Sequence, residues 1–144
     1  MLYRLGWLLV FVATLFLFAK YSQAANFKEG LVKGKLKPCP NTPNCISSEN
    51  GKIEAINVGQ AEPTLAWDKL KQIIVSQNGN IQTETNGYLW AVFKTPVLGF
   101  VDDVEARFDS SKNLIHLRSA SRVGYYDFGA NRKRLIKIIN AMQR

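Results

Sequence analysis

The chain has 144 residues, 47% of them hydrophobic and 21% charged, with a formal net charge of +8 and a single histidine. That length and apolar content support one domain around a single core and exclude a multidomain arrangement. The basic residues do not form a stripe interleaved with aromatic rings, which argues against nucleic acid as a partner; the charge suits anionic surroundings such as lipid headgroups or an acidic polymer.

In chain order, residues 1–24 read as a signal peptide or signal anchor. Arg4 precedes an apolar run from Leu5 to Ala19, and Ser22-Gln23-Ala24 offers small residues at the cleavage spacing. The run is shorter than the roughly twenty residues that a bilayer core asks of a helix, while Trp7 and Tyr21 are placed to sit at its interfaces if it stays attached. An exported protein follows, periplasmic or membrane-anchored facing the periplasm. Cleavage after Ala24 would remove Arg4 and Lys20 and leave a mature chain of 120 residues with a charge of +6. Residues 25–37, rich in lysine and glycine, read as a basic linker able to lie against anionic headgroups. Residues 38–144 read as a single α+β domain.

Cys39 and Cys45 are the only cysteines. In an exported chain they predict a disulfide closing a short proline-rich loop. A redox pair is disfavoured because the two-residue spacing of thioredoxin-type motifs is missing, and a lone histidine leaves two thiolates short of metal partners, so no metal is expected. Lys52 to Val58 allows a short strand. Thr64 to Gln77 predicts a helix, with Leu65, Trp67, Leu70, Ile73 and Ile74 as its apolar stripe, Pro63 at its start and Asn78-Gly79 as its stop. The period then changes to two. Ile81 to Thr85, the Asn86-Gly87 turn and Tyr88 to Thr95 predict a hairpin. Phe100 to Phe108 and Leu114 to Val123 predict a second one, and a closing helix from Ala130 carries Leu135, Ile136, Ile138, Ile139 and Met142. Consecutive hairpins between two helices imply an antiparallel sheet of four to five strands with both helices on one face.

Strand parity yields the candidate site. Phe100, Asp102, Val104, Ala106 and Phe108 share one face, and Val101, Asp103, Glu105 and Arg107 the other. Matching apolar faces across the Ser110–Asn113 loop pairs Asp109 with Leu114, Phe108 with Ile115, Glu105 with Arg118 and Asp102 with Ser121. Asp103, Glu105, Arg107, His116, Arg118 and Arg122 then form a charge ladder away from the helices. Asp102, on the apolar face, requires a partner; Ser121, an arginine of the last helix or a run of backbone N–H groups would serve. His116 and the serines Ser119 and Ser121 fall on opposite faces, which disfavours a hydrolytic triad. Asp127 is placed either to cap the last helix or to stand beside a ligand, and Asn131 and Arg132 open that helix. Arg132 and Arg134 lie where positive charge opposes the helix dipole, so they are expected to pair with Asp102, Asp103, Glu105 or a ligand.

Four blocks, Cys39-Pro-Asn-Thr-Pro-Asn-Cys45, Phe100-Val-Asp-Asp-Val-Glu105, Arg118-Ser-Ala-Ser-Arg-Val-Gly124 and Asn131-Arg-Lys-Arg134, resemble a bacterial and plastid family known as a domain of unknown function, number fourteen ninety-nine. The resemblance runs from about Leu36 to the C-terminus and implies no activity. The residues themselves suggest a small binding or interaction module for an anionic small molecule, envelope component or protein, with Arg118, Arg122 and Arg132 holding the anionic group and Trp90, Phe100, Tyr125 and Tyr126 walling it. The alternatives are a hydrolase-type enzyme using Asp102 or Asp103 as general base beside Arg118 or Arg122, or a purely structural envelope protein. With no glycine-rich phosphate loop, nucleophile elbow or zinc motif, no cofactor is expected.

Overall fold

The computed structural model describes residues 2–24, 27–96 and 98–144 and, within the first helix, the side chains of residues 7–18, 20 and 21. Helix α1 (Leu2–Ala24) precedes strand β1 (Cys45–Ser47), a 3-10 turn (Ser48–Asn50), β2 (Ile56–Asn57), helix α2 (Pro63–Ser76), strands β3 (Asn80–Thr85), β4 (Tyr88–Lys94), β5 (Val101–Asp109) and β6 (Leu114–Ser121), and helix α3 (Ala130–Met142). The sheet is antiparallel in the order β1-β6-β5-β4-β3, and β2 also pairs with β6. The fold is thus α+β with six strands and three helices, more than the expected four to five strands and two helices. The extra strand is β1, whose three residues are too few to show a period. It pairs with Arg118–Ala120 of β6, while β2 pairs further along the same edge with Leu114–Ile115.

The predicted β5–β6 register is the one observed: Asp109 opposes Leu114, Phe108 Ile115, Glu105 Arg118 and Asp102 Ser121. Parity therefore divides the side chains as expected. On one face Leu89, Val104, Ala106, Ile115 and Leu117 meet Leu70 and Ile74 of α2 and Leu135 and Ile138 of α3 in a single core. The helix stripes are narrower than the sequence implied, because Leu65 and Ile136 are exposed; in α2 the buried line runs through Ala66, Leu70 and Ile74 at four-residue intervals, and Leu65 lies well off that line. At the end of α2, Asn78 adopts φ 65° and Gly79 turns the chain into β3.

The second sheet face is covered too. Leu36 is buried, Phe27 packs on Trp90 with ring centroids 5.0 Å apart, and the Gly30 N–H donates to Tyr88 Oη at 2.8 Å. The segment read as a linker is laid across the sheet from Phe27 onward; its first residues, Ala25 and Asn26, lie outside the described residues. Cys39 and Cys45 form the expected disulfide, which ends at the first residue of β1. Helix α1 touches β5, and its described side chains are mostly exposed. Among the described residues no helix is long and apolar enough to cross a membrane.

Candidate functional site

The sheet separates the predicted site residues into two groups that do not meet. Asp103, Glu105, Arg118 and Arg122 project to the face covered by residues 27–37. There Arg122 holds Asp103 with two hydrogen bonds of 2.9 Å, and Trp90 Nε1 donates to Asp103 Oδ1 at 2.8 Å. Glu105 accepts from Tyr88 Oη at 2.8 Å and from Arg118 at 2.9 Å. Arg107 pairs with Glu49 of the 3-10 turn, which also accepts the Leu36 N–H. The charge ladder is therefore a buried one, with Asp103 and Glu105 fully enclosed, because the N-terminal strap closes over a face that parity alone left open to solvent. Such carboxylates require paired cations and hydrogen bonds to be tolerated.

Burial pushes the Glu105 carboxyl above its ordinary range, and the bonds from Tyr88 and Arg118 only partly oppose it. Burial also raises the Tyr88 hydroxyl, which stays protonated to donate to Glu105. Glu49 behaves oppositely: burial pulls it upward, but the bonds from Arg107 and Leu36 hold it below the usual value. Burial depresses His116 despite Glu49 nearby. Arg118 Nε is the one buried side-chain nitrogen or oxygen without a hydrogen-bond partner among the described residues.

Asp102, Ser121, Asp127 and Asn131 gather on the helix face. Arg134 donates to Asp102 Oδ2 at 2.6 Å and to Asn131 Oδ1 at 2.8 Å. The Asn131 amide donates to the Asn44 carbonyl, Ser121 Oγ and Asp127 Oδ2 at 3.0, 2.9 and 2.8 Å. Asp127 also accepts the N–H groups of Gly129 and Asn131 and so caps α3 from two residues before its N-cap, Gly129. These bonds tie α3, β5, β6 and the proline-rich loop into one network. Of the candidate partners for Asp102, the structure selects an arginine of the last helix, Arg134. Asn44 enters through the cysteine block, but sequence alone gave its carbonyl no partner 87 residues away.

Arg132 belongs to neither group. It is exposed, donates to the Lys52 carbonyl at 2.9 Å, and borders a shallow cleft of about 250 Å³ with Lys52, Tyr126 and Asp127. The three arginines expected to converge on one anionic group thus lie apart: Arg118 and Arg122 bind carboxylates on one side of the sheet, and Arg132 is at the rim of the other.

The open concavity beside the signature residues is apolar. A cleft of about 390 Å³ lies between the loop from Thr95 to Phe100 and the loop from Val123 to Ala130. Leu98, Phe100, Val123, Tyr126 and Phe128 are among its walls, Asp102 and Ser121 lie at its border, and Phe18 of α1 reaches it. The second loop is held by Asp127 and by the Asn44 amide, which donates to the Gly124 carbonyl at 2.5 Å. Gly124 and Gly129 take φ of 86° and 75°, and between them Phe128 takes 54°, a left-handed conformation costing a non-glycine residue on the order of 1 kcal/mol. Phe128 is nevertheless 82% exposed, so its own burial does not offset that cost. Tyr125 and Tyr126 stand exposed beside it. Both tyrosines were legible in the sequence, whereas Leu98 and Phe128 were not, because each lies in a loop without a period.

Residues 35–142 match the family described as protein of unknown function (DUF1499), so the chain belongs to that family. No curated protein matches it.

Proposed function

We propose that this member of the DUF1499 family is an exported binding module of the cell envelope, directed there by its N-terminal segment, and that its ligand is an anionic amphiphile. The apolar part of the ligand seats in the cleft between the Thr95–Phe100 and Val123–Ala130 loops. Its anionic end meets Lys52 and Arg132, which border the adjoining cleft and share Tyr126 and Asp127 with the first. The observation that carries this reading is the division of labour among the polar residues. The ladder carboxylates and Asp102 are bound to arginines or buried donors and are structural, whereas the cleft between the two loops is walled chiefly by apolar and aromatic groups. A volume of about 390 Å³ falls within the range of small-ligand sites, which combine apolar walls with a few polar groups.

The same accounting weighs against a hydrolase. A general base must reach its substrate, yet Asp103 is fully buried under bidentate Arg122 and Asp102 is held by Arg134. The test uses 1-anilinonaphthalene-8-sulfonate, itself apolar and anionic. The full chain should bind it with enhanced, blue-shifted emission, and palmitate should displace it. Ala130→Trp, which fills the cleft from its rim, should weaken binding about tenfold or more. Undisplaced dye, or equal binding by the variant, would count against this reading.

A further inference from the structure

The rim of the apolar cleft has a composition that its interior does not explain. Tyr125, Tyr126 and Phe128 are 69%, 60% and 82% exposed, three aromatic side chains in four consecutive positions, with Tyr126 and Phe128 in edge-to-face contact at 5.2 Å. Cations flank them. Lys52 and Arg132 line the adjoining cleft, which shares Tyr126 and Asp127 with the apolar one; Lys94, Lys133 and Lys137 line a further cleft that shares Thr95, Pro96 and Ala130 with it. Of the acidic residues bordering the apolar cleft, Asp102 is paired with Arg134, and Asp127, which caps α3, leaves one carboxylate charge against these five cations.

We infer that this rim is a docking surface for an anionic lipid bilayer, with Tyr125, Tyr126 and Phe128 entering the interfacial layer and the five flanking cations resting on headgroups. Aromatic rings with one apolar and one polar end favour that layer, and basic residues near it are attracted to anionic lipid. Phe128, in its left-handed backbone conformation, presents its ring at the surface. Helix α1 reaches the same end of the domain through Phe18, so the export segment and the aromatic rim open toward one side. This inference goes beyond the ligand reading above, since it concerns the rim and holds whether or not the cleft is filled.

The test keeps the full chain and its α1. A nitrobenzoxadiazole fluorophore is attached at Tyr125→Cys and, in a separate control, at Asn86→Cys in the β3–β4 turn, with the native disulfide left intact. On vesicles containing about one third phosphatidylglycerol, the label at position 125 should shift to the blue and be quenched by lipid-borne quenchers, while the label at 86 stays aqueous. Lys52→Glu with Arg132→Glu and Lys133→Glu should weaken that response by about a hundredfold or more, given about fivefold for each cation removed. The inference is overturned if both labels respond alike, if position 125 stays aqueous, or if pure phosphatidylcholine gives the same response. A response at 125 to soluble palmitate but not to vesicles would overturn it while leaving the ligand reading intact.

Discussion

Asp102 occupies the polar position of an otherwise apolar strand face and survives there because Arg134 reaches it from α3 at 2.6 Å. Removing one partner of a buried pair leaves the other uncompensated, at a cost of about 3–5 kcal/mol. Asp102→Ala should therefore lower unfolding free energy by about 3 kcal/mol in a denaturant titration; an unchanged midpoint would make Asp102 a ligand-site residue instead of a tie. His116 supplies a pH-dependent test. Its ring lies 3.9 Å from both Glu49 and Asp109, yet burial holds its pKa below the ordinary 6.5. The unfolded chain then binds the proton more readily, so the stability due to His116 is complete above about pH 6.5 and is lost as pH falls through the lower folded value. Glu105, raised by burial, works in the opposite sense, so a comparison with His116→Gln isolates the histidine. Between about pH 7.5 and about pH 5, the variant should lose less stability than the parent, and parallel losses would contradict the assignment. Sequence parity had already placed Asp102 and His116 on their faces. The arginine partner of Asp102 was among those expected, because Arg134 lies where positive charge opposes the helix dipole; the approach of His116 to Glu49 was not, because Glu49 belongs to an element remote in sequence.

Among the elements, the β5–β6 hairpin was the most legible, since a two-residue period and a four-residue loop admit one register that keeps Val104, Ala106, Ile115 and Leu117 on the core side. The strand β1 was illegible for the reverse reason: Cys45–Ser47 is held by its pairing with Arg118–Ala120, a nonlocal cause. The link from α2 to β3 rests on Gly79, where an added Cβ would approach Ile74 Cγ2 and Phe93 Cζ to 2.6 Å and the Ile74 carbonyl oxygen to 2.8 Å. The side chains are packed and the carbonyl belongs to the helix end, so neither can yield cheaply. Gly79→Ala should destabilise the fold by about 1–3 kcal/mol, the usual cost of overpacking, seen as a lower thermal midpoint. A neutral result would show that the α2–β3 connection is looser than the packing implies.

At the scale of the whole molecule, one sheet carries two different interiors. Its helix face holds an apolar core edged by the network of Asp102, Ser119, Asn131 and Arg134; its other face holds a ladder of buried charge pairs beneath the strap from Phe27 to Lys37. The polar residues of the sequence blocks that mark the family are divided between the two faces: Asp102, Ser121, Asn131 and Arg134 tie α3 and the loop at 123–129 to the sheet, Asp103, Glu105, Arg118 and Arg122 form the ladder, and that loop forms one wall of the apolar cleft. The polar blocks were visible in sequence and drew attention to arginines as ligand holders. The cleft was not, because its walls come from α1, two loops and two strand ends, each too short or irregular to carry a period. If this cleft holds a ligand, native mass spectrometry of the protein purified from the cells that make it should detect that ligand. An added mass, belonging to an anionic amphiphile, should be present under native conditions, leave on denaturation and be absent from Ala130→Trp. A bare native mass in the parent protein, extracted without displacing detergent, would contradict the ligand reading.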